Sequence, residues 1–231
     1  MHPLKTVVLV GTLDTKGVEY EFARNRFQKA GLKTILINAG IIGQSSIQTD
    51  VTNEQVALAG SSDLQTLKTK NDRGFAVSVM TKGVNQVVQD LYKKGELDAI
   101  FALGGSGGST ISSLAMRNLP IGLPKVLVST LVSSNAASFV GESDMALFAS
   151  VVDIAGVNSI SAKVIANAVD ATIGMVNGEK VEINWDPTKP NGDEKRLMST
   201  ERAESFGIKQ KISLKTGLKH TIDYYLNEYK K

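Results

Sequence analysis

The chain has 231 residues, 42% of them hydrophobic, which is enough for one large domain, or one domain with an appendage, around a substantial core. Having no cysteine, it cannot form a disulfide framework, a thiolate nucleophile or a Cys-type metal site, and its histidines are His2 and His220 alone. The net charge of +3 lies in the tail: residues 1–184 carry 16 basic and 16 acidic side chains, residues 185–231 carry 10 and 7, and the body lacks the basic and aromatic clusters of a nucleic-acid binder.

Met1 to Lys5 lead directly into a strand, without the charged start and cleavage site of a signal peptide, and no apolar run approaches the ~18 residues of a membrane span. A soluble, cytoplasmic protein is expected, without membrane contact. Thr6 to Val10 is a run of β-branched and aliphatic residues ending at Gly11 and reads as strand one. The turn Thr12-Leu13-Asp14-Thr15-Lys16 follows, then a helix from about Gly17 to Ala30 with Val18, Phe22 and Phe27 inward and Gly31 as its cap. Strand two is Thr34 to Ile37, left through Asn38-Ala39-Gly40-Ile41-Ile42-Gly43. Thr52-Asn53-Glu54-Gln55 carries a capping-box pattern, and Asp72-Arg73 opens a longer helix to about Lys94.

Strand three, Ala99 to Leu103, delivers the chain into Gly104-Gly105-Ser106-Gly107-Gly108-Ser109-Thr110, after which Ile111, Leu114, Ala115 and Leu119 fall at helical spacing. Four glycines let backbone approach a ligand closely, and hydroxyls stand beside the free N–H groups of a new helix, an arrangement suited to phosphate. The segment lacks a P-loop lysine and has Thr110 where the dinucleotide fingerprint needs its third glycine. It does fit G-x-S-x-G, so Ser106 is a candidate hydrolase nucleophile. Pro124 to Thr130 reads as strand four, Ser150 to Asp153 as a short fifth, and about Ser159 to Met175 as a helix presenting Ile160, Val164, Ile165, Ala168 and Ile173.

Continuously apolar strands alternating with helices indicate an α/β fold, a parallel sheet with helices on both faces. Ligands of such sheets bind beyond the carboxyl ends of the strands. Gly11 to Lys16, Asn38, Gly40, Gly104 to Ser109, Ser129-Thr130 and Asp153 all stand at those ends.

Gly11-Thr12-Leu13-Asp14-Thr15-Lys16, Asp72-Arg73-Gly74, Gly104 to Gly108, and Leu119-Pro120-Ile121-Gly122-Leu123-Pro124-Lys125 with Val128-Ser129-Thr130 together form a pattern, extended by Val140 to Asp144 and Val152 to Asn158. Over about residues 4 to 177 this resembles the ATP-binding domain shared by the tomato inhibitor of tobamovirus RNA replication and a group of uncharacterised bacterial and fungal proteins. The resemblance implies a Rossmann-like nucleotide-binding domain over residues 1–178, ATP with Mg2+ as the ligand, and a homodimer. It places Gly11 to Asp14, Arg73, Gly105 to Gly108 and Asp153 around the nucleotide. Residue chemistry adds Lys16 and Arg73 as counter-charges and Asp14 or Asp153 as the magnesium ligand. Where the family carries an aspartate-containing strand end this chain has Asn38, and the family's second α/β subdomain is missing.

In its place, Trp185 to Gly192, Lys195-Arg196-Leu197, Phe206-Gly207 and Ser213 to Lys219 resemble the carboxyl-terminal end of extended short-chain dehydrogenase/reductases, especially GDP-fucose synthases and related nucleotide-sugar epimerases. Neither the G-x-x-G-x-x-G turn nor the Y-x-x-x-K pair that those enzymes need occurs in this sequence. Residues 185–231 are therefore read as a short helical C-terminal appendage, with helices at about 199–206 and 213–229 after a linker at 186–192. Four functions are weighed: an ATP-binding protein; a hydrolase using Ser106, which would need Lys16 as its base because both histidines are in terminal segments; a module whose protein partner senses the nucleotide; and a sugar-nucleotide oxidoreductase or epimerase fragment.

Overall fold

The computed structural model describes residues 4–178, 201–207, 209 and 211–229. The expected linker at 186–192 lies outside these residues. The chain divides into two units, 1–180 and 181–231. In the second, helices span Glu201–Ser205 and Leu214–Tyr229, close to the expected bounds.

The first unit holds five strands, β1 Thr6–Gly11, β2 Lys33–Asn38, β3 Ala99–Gly104, β4 Lys125–Ser129 and β5 Ala146–Ala149. All pair in parallel, in the order β2-β1-β3-β4-β5. Every residue of β1, β3 and β4 is buried, which is why these segments read as unbroken apolar runs. Alternate residues point to opposite faces. Val7, Leu9, Phe101, Leu103, Val126 and Val128 pack with α1 (Leu13–Lys29) and the last helix of the unit, Ser159–Asn177. Val8, Val10, Ile100, Ala102 and Leu127 pack with the helices on the other face: α2 Asn53–Ala59, α3 Leu64–Lys70, α4 Arg73–Lys93, α5 Ser106–Arg117 and α6 Val132–Val140. We number the Ser159–Asn177 helix α7.

Four expectations need correction. Helix α1 begins at Leu13 rather than Gly17, so the expected turn is its cap and first turn, distorted at Lys16 (φ −125°, ψ 21°). Its inward face carries Leu13, Tyr20, Ala23 and Phe27, whereas Val18 is 56% exposed. The fifth strand is Ala146–Ala149, not Ser150 to Asp153. Val151 has φ +66°, and the Val152 N–H donates back to the Ser150 carbonyl (2.7 Å), a tight turn that cannot continue a ladder. Ile160 is 47% exposed, on the outer face of α7. Two helices, α3 and α6, were not anticipated.

Helix α7 is long and apolar enough by composition to cross a bilayer. That apolarity is used in the core, where Ile165, Ala168, Val169 and Val176 are buried, and on its outer side Asp170 pairs with Arg26 of α1 at 2.5 Å.

One side chain sets the geometry of the carboxyl edge. The β1–β3 register ends at Val10↔Ala102. Beyond it, the buried Tyr20 hydroxyl accepts the Leu103 N–H (2.8 Å) and donates to the Val10 carbonyl, taking the place of the next rung. Burial pushes its pKa well above the ordinary tyrosine value, so the phenol remains a donor. Its ring covers Gly11, where a Cβ would lie 2.1 Å away. At the opposite edge, the fully buried Lys125 donates to the Pro120 and Leu123 carbonyls (2.7 and 3.0 Å) and to Asp144 (2.5 Å).

Tyr20→Phe leaves Val10 C=O and Leu103 N–H unpaired in the core and is expected to cost about 1–3 kcal/mol, read as a lower urea midpoint. Burial raises the Asp144 pKa, but Lys125 and the Gly122 N–H outweigh it and hold the carboxyl below its ordinary value. A depressed carboxyl contributes stability above its unfolded pKa and loses it as pH falls through the folded one. The urea midpoint of Lys125→Met should therefore fall less steeply than that of the wild type below about pH 4.

Candidate functional site

The strand order reverses direction at β1. Helix α1 leaves β1 toward β2 on one face, and α5 leaves β3 toward β4 on the other. The two helices therefore start side by side at the carboxyl edge and diverge, opening a crevice between them. Their closeness is direct, since a Cβ on Gly108 would stand 3.8 Å from Thr12 Oγ1.

The crevice is a cavity of about 670 Å³. From the β1 side it is lined by Thr12, Asp14, Thr15 and Lys16, and from the β3 side by Gly105, Ser106, Gly107 and Ile111. Ala39, Ile41 and Ile42 close it after β2, and Leu67, Lys68, Asn71, Asp72, Arg73, Ala76 and Val77 close it from α3 and α4. The β1 and β3 side is mainly polar and glycine-rich, and the β2, α3 and α4 side joins the aliphatic Ala39, Ile41, Ile42, Leu67, Ala76 and Val77 with Lys68, Asn71, Asp72 and Arg73.

Neither N-cap residue, Thr12 or Gly105, makes a side-chain cap hydrogen bond, although in α1 the Leu13 N–H is taken by Asn38. In α5 the first helical bond runs from Ser109 N–H to Gly105 C=O, so the N–H groups of Ser106, Gly107 and Gly108 have no intrahelical acceptor. The partial positive charge of that terminus faces the polar side of the cavity. A Cβ at Gly107 would meet nothing within 4 Å, so open space lies before it.

The charged side chains divide by commitment. Asp14 Oδ2 accepts the N–H groups of Ile41, Ile42 and Gly43 (3.1, 3.1 and 3.4 Å), whereas its Oδ1 is buried without a hydrogen-bond partner. Asp72 Oδ1 caps α4 through the Phe75 N–H (3.0 Å). Lys16 donates to the Ile154 carbonyl. Lys68 and Arg73 take part in no ion pair among the described residues. Carboxylates bound to backbone and cations left over make this mouth attractive to an anion.

Of the residues expected to bind from sequence, Thr12, Asp14, Thr15, Lys16, Arg73, Gly105, Ser106 and Gly107 line the cavity. Most of the others stand behind it. Gly11 lies under the Tyr20 ring, and Leu13 is buried in the core. Asn38, also buried, accepts the N–H groups of Leu13 (3.3 Å) and Gly40 (2.9 Å), fixing the start of α1 to the exit of β2. Gly40 packs on the Asp14 carboxylate, where a Cβ would come within 2.6 Å. Gly104 backs on Gly108. The buried Ser109 donates to Ser129 Oγ (2.7 Å), and Thr130 N–H bonds to Gly104 C=O (3.3 Å). Asp153 is exposed in the segment after β5 and is not part of the cavity wall. Among the described residues no group of three metal-ligating side chains occurs.

Sequence reading passed over the aliphatic wall and Lys68. The signal was there in part: Asp63 caps α3 through Thr66 N–H (2.8 Å), a capping pattern like that recognised at Thr52.

Residues 5–181 match the N-terminal domain of the uncharacterised protein family UPF0261. A UPF0261 protein of Clostridium tetani is 44% identical over 179 residues, covering 78% of this chain and 44% of its own. One from Rhizobium meliloti is 33% identical over 174 residues, covering 75% and 43%. The tomato (Solanum lycopersicum) ToMV resistance protein Tm-1(GCR237) is 33% identical over 201 residues, covering 80% of this chain and 26% of its own. The chain thus spans less than half the length of these relatives.

Proposed function

The chain belongs to the UPF0261 family, and from that membership and the crevice between β1 and β3 we propose that it binds a nucleotide, ATP with magnesium. The observation that carries this reading is the start of α5, where the N–H groups of Ser106, Gly107 and Gly108 have no helical acceptor, on a cavity that the first turn of α1 also lines at the point where the sheet changes direction. Phosphate oxygens would take the N–H groups of Ser106 to Gly108 and the hydroxyls of Thr12 and Ser106, while Lys68 and Arg73 balance their charge. The aliphatic wall of Ile41, Leu67, Ala76, Val77 and Ile111 suits the flat face of a base.

A magnesium ion would enter on the phosphates, supplying charge neutralisation. Asp14 is the residue to hold it, because a buried carboxylate oxygen without a partner is a group that a cation satisfies. The hydrolase reading has Ser106 at the cavity but no histidine in the wall among the described residues, and Lys16, its substitute base, is bonded to a carbonyl. Because one relative bears the name of a virus resistance protein, we extend the proposal to a nucleotide that conditions binding of another protein.

Calorimetry should give saturable, magnesium-dependent ATP binding. Gly107→Asp places a carboxylate at the start of α5, where it favours the helix but repels phosphate. Affinity should fall at least about tenfold while the urea midpoint is not lowered. Wild-type protein that gives no heat with ATP and magnesium overturns the proposal.

A further inference from the structure

The segment Gly40-Ile41-Ile42-Gly43 is built around one carboxylate. Gly40 and Gly43 both pack on Asp14, where added Cβ atoms would lie 2.6 and 3.2 Å from it, and the three N–H groups that follow Gly40 converge on its Oδ2. The two isoleucines between the glycines line the cavity mouth, yet Ile42 is 87% exposed. The base of the segment is fixed separately: Asn38 accepts the Gly40 N–H, and Asn53 Nδ2 donates to the Gly40 carbonyl (2.8 Å).

We propose that Gly40 to Gly43 is a lid that rocks about Asp14 Oδ2 and carries Ile42 over the aliphatic side chains of the cavity when a ligand enters. Two features support the motion. All three bonds share a single oxygen, so rotation about that atom does not require breaking them together. Two of them, at 3.1 Å, lie on the long side of the ordinary N–H···O range and the third, at 3.4 Å, beyond it, as expected of three donors crowded on one oxygen. A large aliphatic side chain held in water beside an apolar wall gains by covering an apolar ligand group. Asp14 acts here as a positioning residue, and the inference rests on the nucleotide reading of the cavity.

Because the chain has no cysteine, Ile42→Cys supplies its sole thiol. With ATP and magnesium as the probe, maleimide labelling at position 42 should slow at least about tenfold, with no slowing in Ile160→Cys as control, and the amides of 41–43 should exchange more slowly. At ATP and magnesium concentrations that calorimetry shows to saturate each variant, Asp14→Asn, which keeps an acceptor oxygen, should retain the slowing, and Asp14→Ala should lose it. Closure in Asp14→Ala equal to that of the parent overturns the pivot. If Asp14→Ala does not fold or does not bind ATP, labelling and amide exchange in the Ile42→Cys protein decide. Calorimetric binding of ATP with unchanged labelling overturns the lid and leaves the nucleotide reading standing. No binding heat and no protection removes both.

Discussion

A parallel sheet can hold a crevice at its edge only if two neighbouring strands stop pairing there, and the backbone groups released must find partners away from water. Here a phenol supplies them. The Tyr20 hydroxyl bridges Val10 C=O and Leu103 N–H where β1 and β3 part, and its ring needs the bare backbone of Gly11 to lie flat. Tyr20 belongs to α1, so the same contact fixes how that helix leaves the sheet. Thr12, at its start, then comes to rest against Gly108 of α5. The cavity, the two helix termini and the glycines beneath them all follow from that insertion.

Electrostatics at the mouth are arranged by a similar economy of partners. Asn38 and Asp14, on consecutive elements, each give one oxygen, Oδ1 and Oδ2 respectively, to backbone N–H groups of α1 and of the 40–43 segment. Asp72 spends one on α4. These bonds remove acceptors from the space in front of α5. What remains facing it is an uncapped helix terminus with Lys68 and Arg73 at the rim, a field that favours negative charge.

Much of this was legible in the chain. Strands buried on both faces announce themselves as runs of Val, Ile and Leu, and the glycine turn after β3 stands out by composition. What was not legible depended on contacts between distant segments. Asn38, Gly40 and Gly11 carry polar or permissive chemistry at strand ends, the expected mark of a ligand site, but they serve neighbouring backbone and the Tyr20 ring. The apolarity of residues 151–152 misled in the same way: Val151 and Val152 have β-forming side chains, but the left-handed φ of Val151 ends pairing at Ala149. Helix α6 has three serines, an asparagine, two valines and a phenylalanine against two alanines, so its propensity is weak, and Phe139 packs it into the core.

The placement of Ser106 bears on what the cavity can do. It opens a helix, with a free N–H behind its hydroxyl and more N–H groups in the next two residues. A serine that attacks needs a base at hydrogen-bond distance, yet the ionisable neighbours in the wall are committed to backbone or are cations: Asp14 to three N–H groups, Asp72 to a cap, Lys16 to a carbonyl, Lys68 and Arg73 charged at the rim. A hydroxyl in such company is a hydrogen-bond donor before it is a nucleophile. The same neighbours that withhold a base supply hydrogen-bond donors and positive charge, the surroundings that an oxyanion requires.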